Sequence, residues 1–531
     1  MTIVQAAFWL IAIIANVIAV LLWSQGWSSL LLLFTLAFTA LGIYDLKFSP
    51  HTLNRLYPIA AYLRYALEFI RIEIQQYFIA SNTEERPFNR EQRSLVYQRA
   101  KKTMDTLPFG TQRDLMETGY LTIMHSLAPK IVAPEHFRVT VGGPQCRQPY
   151  SASRLNISAM SFGALGSNAI TALNLGAKLG NFAHNTGEGG ISPYHQQGGD
   201  LIWQIGTGYF GCCTPDGEFD PELFSTRAQS EQVKMIEIKL SQGAKPAHGG
   251  VLPAAKISAE IAAIRGIRRD KDCVSPPTHT TFDNPIGLLK FVQQLRELSA
   301  GKPVGIKLCI GVKSEFMAIC KAMLETDITP DFITVDGAEG GTGAAPVEFS
   351  NRLGMPCHEA THFVHNCLLG AGLRDQIKVI ASGKTASGFE MLSKLALGAD
   401  MVNAARTMMM ALGCIQSLTC NSNNCPTGIT TQNPVRNKAL DVETKHKRVK
   451  NYHHATVDSC MELIGAMGLE QPEQLTPNRI MYRDENETNK HYDELYASLQ
   501  PKELLSNAIN PFYAEHWRRA LSTTFNPLNK I

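Results

Sequence analysis

The chain has 531 residues, with 50 Lys and Arg against 47 Asp and Glu, a formal net charge of +3. No global field of that size would draw in nucleic acid, and no dense basic face interleaved with aromatics occurs, so nucleic-acid binding is excluded as a main function. Twelve cysteines are sparse for this length, and singles such as Cys146, Cys273 and Cys320 do not form the framework of a secreted disulfide-rich protein.

The first 44 residues differ from the rest. From Ile3 to Trp23 there is no charged residue, and only Gln5 and Asn16 are strongly polar; as a helix this run would span about 30 Å, the thickness of a bilayer core. After Ser24-Gln25-Gly26 a second uncharged run, Trp27 to Tyr44, is long enough to return, with Trp23, Trp27 and Tyr44 where interfacial aromatics belong. The competing reading, a secretory signal, lacks a basic leading region and a small-residue cleavage site before the second run. A transmembrane helical hairpin over residues 1–44 is therefore expected. Lys47, Arg55, Arg64 and Arg71 follow it, which places the bulk of the chain on the cytoplasmic side of the cell inner membrane.

Residues 45–150 read as a helical lead-in, with apolar residues at helical spacing in Leu63 to Glu73 and helix formers from Glu91 to Met104. From Arg154 onward short apolar runs alternate with Gly-rich turns and helical stretches. The runs start at Leu155, Phe182, Leu201, Val233, Val304, Phe332, Ile377 and Asp400. Eight such units predict a (β/α)8 TIM barrel over residues 151–433, with a doubly wound open sheet as the fallback. Residues 434–531 are expected to form a helical C-terminal extension.

Barrel chemistry sits at the C-terminal ends of the strands, with phosphate often held after strands seven and eight. Ser382-Gly383-Lys384 follows the seventh and Ala405-Arg406 the eighth, each joining small residues to a cation. After the first strand, Ala159-Met160-Ser161 belongs to a run of small residues whose backbone can lie against an aromatic ring system. Gly340 and Gly341 sit in Asp336 to Gly343, too Gly-rich for helix or strand and suited to close approach by a planar cofactor. Lys307, ending the fifth strand, suits the negative charge of a reduced flavin, and Lys313 is a candidate for a substrate carboxylate. No G-x-G-x-x-G stands in a nicotinamide-binding Rossmann context. Cys414, Cys420 and Cys425 follow at C-x5-C-x4-C spacing with Pro426 behind them. Such thiols suit iron or zinc better than disulfides. A zinc site would want a fourth ligand, and His446 and His453 lie outside the usual spacing, so an iron–sulfur cluster is favoured over three structural cysteines.

Ser158 to Gly166, Asn185-Thr-Gly-Glu-Gly-Gly, Gln242-Gly-Ala-Lys-Pro, His248-Gly-Gly-Val-Leu-Pro, Val274-Ser-Pro-Pro, Asp336 to Pro346 and Cys425-Pro-Thr-Gly-Ile-Thr-Thr-Gln, in this order, resemble the FMN-binding synthase domain of glutamate synthases, particularly the stand-alone glutamate synthase-like proteins of bacteria. The resemblance covers about residues 135–435. It implies a barrel binding FMN and a [3Fe–4S] cluster on Cys414, Cys420 and Cys425. It also implies reductive amination of 2-oxoglutarate through 2-iminoglutarate, with hydride from flavin N5. Lys307 would serve flavin and substrate electrostatics, Lys313 and His248 would line the substrate pocket, and Glu188 would act as an acid/base or ammonia-site residue, or hold the Gly-rich loop. Three departures stand out. The chain opens Met1-Thr2 rather than with a nucleophilic cysteine, so ammonia is expected from outside it; His248 stands where the synthases have an acidic residue; and the hairpin is foreign to soluble synthases. The electron partner is then a ferredoxin, a reductase subunit or a quinone system. Alternatives are a membrane-linked amino- or hydroxy-acid dehydrogenase and a non-catalytic flavoprotein redox subunit.

Overall fold

The computed structural model describes residues 2–25 and 29–526, and the chain divides into two compact units, Met1–Glu85 and Arg86–Ile531. In the first, α1 (Ile3–Ser24) and α2 (Ser29–Lys47) are candidate membrane spans by length and composition, with mean hydropathies of 2.5 and 1.8. Gly26 and Trp27, expected in the turn and at its interface, lie outside the described residues. Thr2 and Gln5 cap α1 reciprocally, each side chain accepting from the other's backbone N–H. The two helices meet through Asn16 Nδ2, which donates to Thr39 Oγ1 at 2.7 Å, and through Gly42. A Cβ on Gly42 would stand 2.0 Å from the Phe8 ring, so the small residue is what lets these helices approach.

The second unit opens with α3 (Arg90–Lys101), capped reciprocally by Asn89 and Gln92. The expected helical lead-in stops there. Lys102 turns left-handed at φ 55°, and the chain to residue 150 is irregular apart from short strands such as Leu121–Ile123 and Arg138–Val141. Residues 103–119 carry Pro108, Gly110 and Gly119 and no helical apolar period, which accounts for the difference.

Eight parallel strands close into a barrel. They are β1 (Leu155–Ile157), β2 (His184–Asn185), β3 (Leu201–Ile205), β4 (Val233–Lys239), β5 (Val304–Leu308), β6 (Phe332–Asp336), β7 (Lys378–Ser382) and β8 (Met401–Ala404). All eight coincide with the apolar runs read from sequence, and β8 returns to β1 with Val402 opposite Leu155. Helices such as α4 (Ser167–Gly180) form the outer layer. The long C-terminal helix α5 (Val442–Ala466) packs on α4 at Gly176 and is tied to α3 by Asn451, which donates to Ala100 O.

Side chains alternate along each strand, so every second residue enters the barrel and the interior is stacked in levels. Ile202, Met235, Phe332, Ile380 and Met401 form the lowest level. They pack against Val141, Tyr150 and Ala152 of an antiparallel ribbon, Arg138–Val141 with Tyr150–Ser153, that plugs the lower end. One level up, Glu237 is fully buried and accepts from Asn185 Nδ2 and Gln204 Nε2, both at 2.7 Å, and from Thr334 Oγ1 at 2.6 Å. Buried charge is tolerated when it is bonded this fully. The same alternation then brings Lys239, Lys307, Asp336, Ser382 and Asn403 to the upper mouth.

Several histidines are buried in the second unit. Burial, and then Lys394, pushes His358 down to about 3; burial, and then His454, does the same to His453. Their folded values lie below the unfolded value near 6.5, so the stability they contribute is complete above pH 6.5 and is lost as pH falls toward 3. Denaturant midpoints should therefore decline between pH 6.5 and 4.5, before most carboxylates titrate. A midpoint that stays flat over that interval would show these rings do not govern acid stability.

Candidate functional site

A cavity of about 590 Å³ occupies the upper mouth of the barrel. Its walls come from the loops after β1, β6, β7 and β8, the insertion after β4, and the cysteine loop. Ala159, Met160 and Ser161 form one side; Gly340 and Gly341 another. Ser382, Gly383 and Lys384 lie beside Ala405 and Arg406, bringing the two predicted phosphate-type loops together. Gly187 is required by geometry: its φ is +64°, and a Cβ there would come within 2.7 Å of the Ser161 N. Asn403 Oδ1 is buried without a hydrogen-bond partner and lies on the wall, an acceptor left over for a bound molecule.

Lys307 reaches the floor, with Asp336 Oδ2 at 3.4 Å from Nζ. Burial opposes its charge, but Asp336, Glu237 and Glu188 outweigh that and raise its pKa, so it stays an ammonium. Asp336 also accepts from Gly243 N at 2.9 Å. Glu188 accepts from Lys239 Nζ at 2.7 Å. Burial would raise the Glu188 carboxyl, but Lys239, with Arg265 and Lys245, brings it below the usual range. With Lys239 matched by Glu188, Lys245 is a second, buried cation on the same wall; burial, and then Lys239, pushes it down to about 8 against the pull of Glu188.

Cys414, Cys420 and Cys425 line the cavity as free thiols. Burial raises Cys425, but the Thr427 hydroxyl, 3.4 Å from its Sγ, and the adjacent Thr430 more than reverse this and bring it down to about 7. Among the described residues no three His, Cys, Asp or Glu side chains converge on one ion position. The three thiols share one wall instead, a donor set suited to a thiolate-bound iron–sulfur group rather than a single ion. With the small-residue backbone, the paired cationic loops and the orphaned Asn403 acceptor, the residues present fit a flavin beside such a group.

The structure does not bring Lys313 or His248 to this cavity. Lys313 starts the helix after β5 and turns outward, 4.1 Å from the Phe512 ring centroid and 3.8 Å from Glu359, so a cation–π contact and an ion pair hold it among the outer helices. His248 packs edge-on against Phe349, with Nδ1 3.0 Å from Gly249 O. Sequence reasoning missed Lys239, Lys245, Lys256, Arg265 and Phe88. Phe88 lies under Arg406 and Lys384, with ring centroid distances of 5.0 and 5.8 Å, and its backbone exchanges two hydrogen bonds with the Gln416 side chain. Gln242-Gly-Ala-Lys-Pro held the available signal for Lys245; nothing local marked Phe88.

A match to the conserved region in glutamate synthase extends over residues 85–470. The chain belongs to the glutamate synthase family. It is 37% identical over 500 residues to the glutamate synthase large subunit-like protein YerD of Bacillus subtilis, covering 86% of this chain and 95% of that one. It is 35% identical over 332 residues to the archaeal glutamate synthase (NADPH) of Methanocaldococcus jannaschii, 62% of this chain and 61% of the relative. With the NADPH glutamate synthase large chain of Bacillus subtilis it shares 28% identity over 348 residues, 64% of this chain and 22% of that much longer one. The motif resemblance thus holds at family level: the chain is a glutamate synthase family oxidoreductase, of the class acting on CH–NH2 donors. Membership implies, in general terms, flavin and iron–sulfur cofactors.

Proposed function

We propose that this glutamate synthase family protein uses FMN and a [3Fe–4S] cluster to aminate 2-oxoglutarate, or a related 2-oxo acid, reductively, with ammonia from outside the chain and electrons from a separate carrier. We further propose that α1 and α2 hold it at the cytoplasmic face of the cell inner membrane. The observation that carries the catalytic reading is the cavity's layout, in which a cationic wall, a small-residue cradle and three thiols face one space.

Ser382 to Lys384 and Ala405-Arg406 would hold the FMN phosphate, and Ala159 to Ser161 with Gly340-Gly341 its ring. When bound, the flavin supplies two-electron exchange with the substrate carbon and the cluster a one-electron relay. Overall, the carbonyl oxygen leaves as water, a C–N bond forms, and two electrons and two protons reduce the resulting imine. The chain's part is electrostatic. Lys307, kept protonated by Asp336, offers positive charge at the floor. Glu188, ionised and bound to Lys239, is poorly placed to donate a proton and works as an anchor. That leaves Lys245 to receive a substrate carboxylate.

Anaerobic, dithionite-reduced protein mixed with 2-oxoglutarate and ammonia should reoxidise and form glutamate. Flavin bleaching by glutamate, with no reoxidation by the oxo acid, would instead favour the membrane-linked dehydrogenase that the hairpin suggests. Lys245→Met should raise the KM for the oxo acid at least about tenfold, the scale of one charge-assisted contact, while the flavin spectrum stays unchanged. An unaltered KM would remove Lys245 from substrate binding.

A further inference from the structure

The insertion after β4 carries a buried cation between the two cofactor loops. Lys256 ends the short turn Ala254–Lys256, is 3% exposed, and lines the cavity. Its ammonium donates to Ala164 O at 2.6 Å and to Cys420 O at 3.3 Å. Ala164 belongs to the small-residue loop after β1 and Cys420 to the cysteine loop, so one side chain joins both. Asn423 reinforces the junction, its Nδ2 donating to Ala255 O at 3.0 Å. Among the described residues no carboxylate forms an ion pair with Lys256; the Cys420 and Cys425 sulfurs favour its charge, while Arg265 adds a further positive charge.

A buried ammonium held by two carbonyls still lacks a counter-charge, and such a group is tolerated where an anion shares its low-dielectric surroundings. Three thiolates around iron and sulfide carry net negative charge, and one-electron reduction deepens it without requiring a proton. We infer that Lys256 is the counter-charge of the iron–sulfur group, a positioning residue that favours the cluster's reduced state while holding the flavin-side loop to the cysteine loop. This rests on the cluster assigned to Cys414, Cys420 and Cys425 in the preceding reading. A fixed cation beside a centre that gains an electron raises its reduction potential, one of the levers by which proteins tune such clusters.

The test is a dithionite titration of the full-length holoprotein followed by paramagnetic resonance, with iron and flavin contents measured in parallel. Lys256→Gln keeps the capacity to donate to both carbonyls but loses the charge; Lys256→Arg keeps the charge. The Gln protein should show at least a tenfold fall in the equilibrium constant for one-electron cluster reduction, which is about 59 mV, and the Arg protein should restore most of it. A Gln protein that folds and binds flavin but loses iron, beside an Arg protein that keeps iron, would support the same charge requirement. An unchanged potential at full iron content, or equal iron loss in both variants, would overturn it. Wild-type protein without iron after anaerobic reconstitution would instead defeat the underlying cluster assignment.

Discussion

Cys420→Ser protein is expected to leave anaerobic purification still yellow but without the paramagnetic signal of an iron–sulfur centre. Cys420 shares the cavity wall with Cys414 and Cys425, and a serine hydroxyl does not ionise in the range where a thiol does, so a three-thiolate donor set is broken by one atom. The proposed flavin cradle draws on other loops, those after β1, β6, β7 and β8, none of which carries the Cys420 sulfur. Iron should fall to background and carrier-driven turnover by at least about 100-fold, the upper scale for disturbing even a metal's outer contacts. Flavin content, read from absorbance after denaturation, should stay within about twofold of wild type, a change worth less than RT. Loss of all flavin from a protein with an unchanged circular dichroism spectrum would show that the two cofactor sites are not separable.

Asp331→Ala should have the largest effect on stability. Asp331 stands just before β6, 1% exposed, and accepts from Gly143 N at 2.7 Å, Val304 N at 2.8 Å and Arg296 Nη2 at 3.0 Å. Arg296, itself 5% exposed, also donates to Thr329 O and Gln145 Oε1. Removing the carboxylate strands a buried guanidinium and two backbone donors, a loss of about 3–5 kcal/mol. Equilibrium denaturation in urea would measure it, and Asp331→Asn should recover part through its remaining acceptor. A loss below about 1 kcal/mol would mean water or backbone movement satisfies Arg296.

The barrel was legible because its strands are buried on both faces and therefore appear as short unbroken apolar runs; Val304 to Leu308 and Phe332 to Asp336 were read at their observed bounds. The adjacency of Ser382 to Lys384 with Ala405 and Arg406 was legible too, since β7 and β8 pair directly and their ends lie side by side. Direction was harder. Lys313 follows a strand end much as Lys384 does, but it begins a helix, and Glu359 and the Phe512 ring, distant in sequence, turn it away. Lys256 and Arg265 sit in an insertion whose local pattern says only turn and helix. Arg265 becomes a site residue through Ser161 Oγ, at 3.1 Å, and Phe162 O, at 3.0 Å, contacts created by folding alone. Phe88 lay in a segment read as lead-in, and its partners Gln416 and Arg406 are more than 300 residues away.

The ribbon Arg138–Val141 with Tyr150–Ser153 stoppers the cylinder from below, so among the described residues the cavity at its mouth faces the upper rim. On the proposed reading, oxo acid, nitrogen source and product would all pass the rim that the thiols and the cationic wall share. Traffic through that rim would be ordered, the amino acid departing before the next oxo acid arrives. Competition among these species at the rim would then appear as mutual inhibition at high concentration, a kinetic mark of the barrel's stopper rather than of any catalytic side chain.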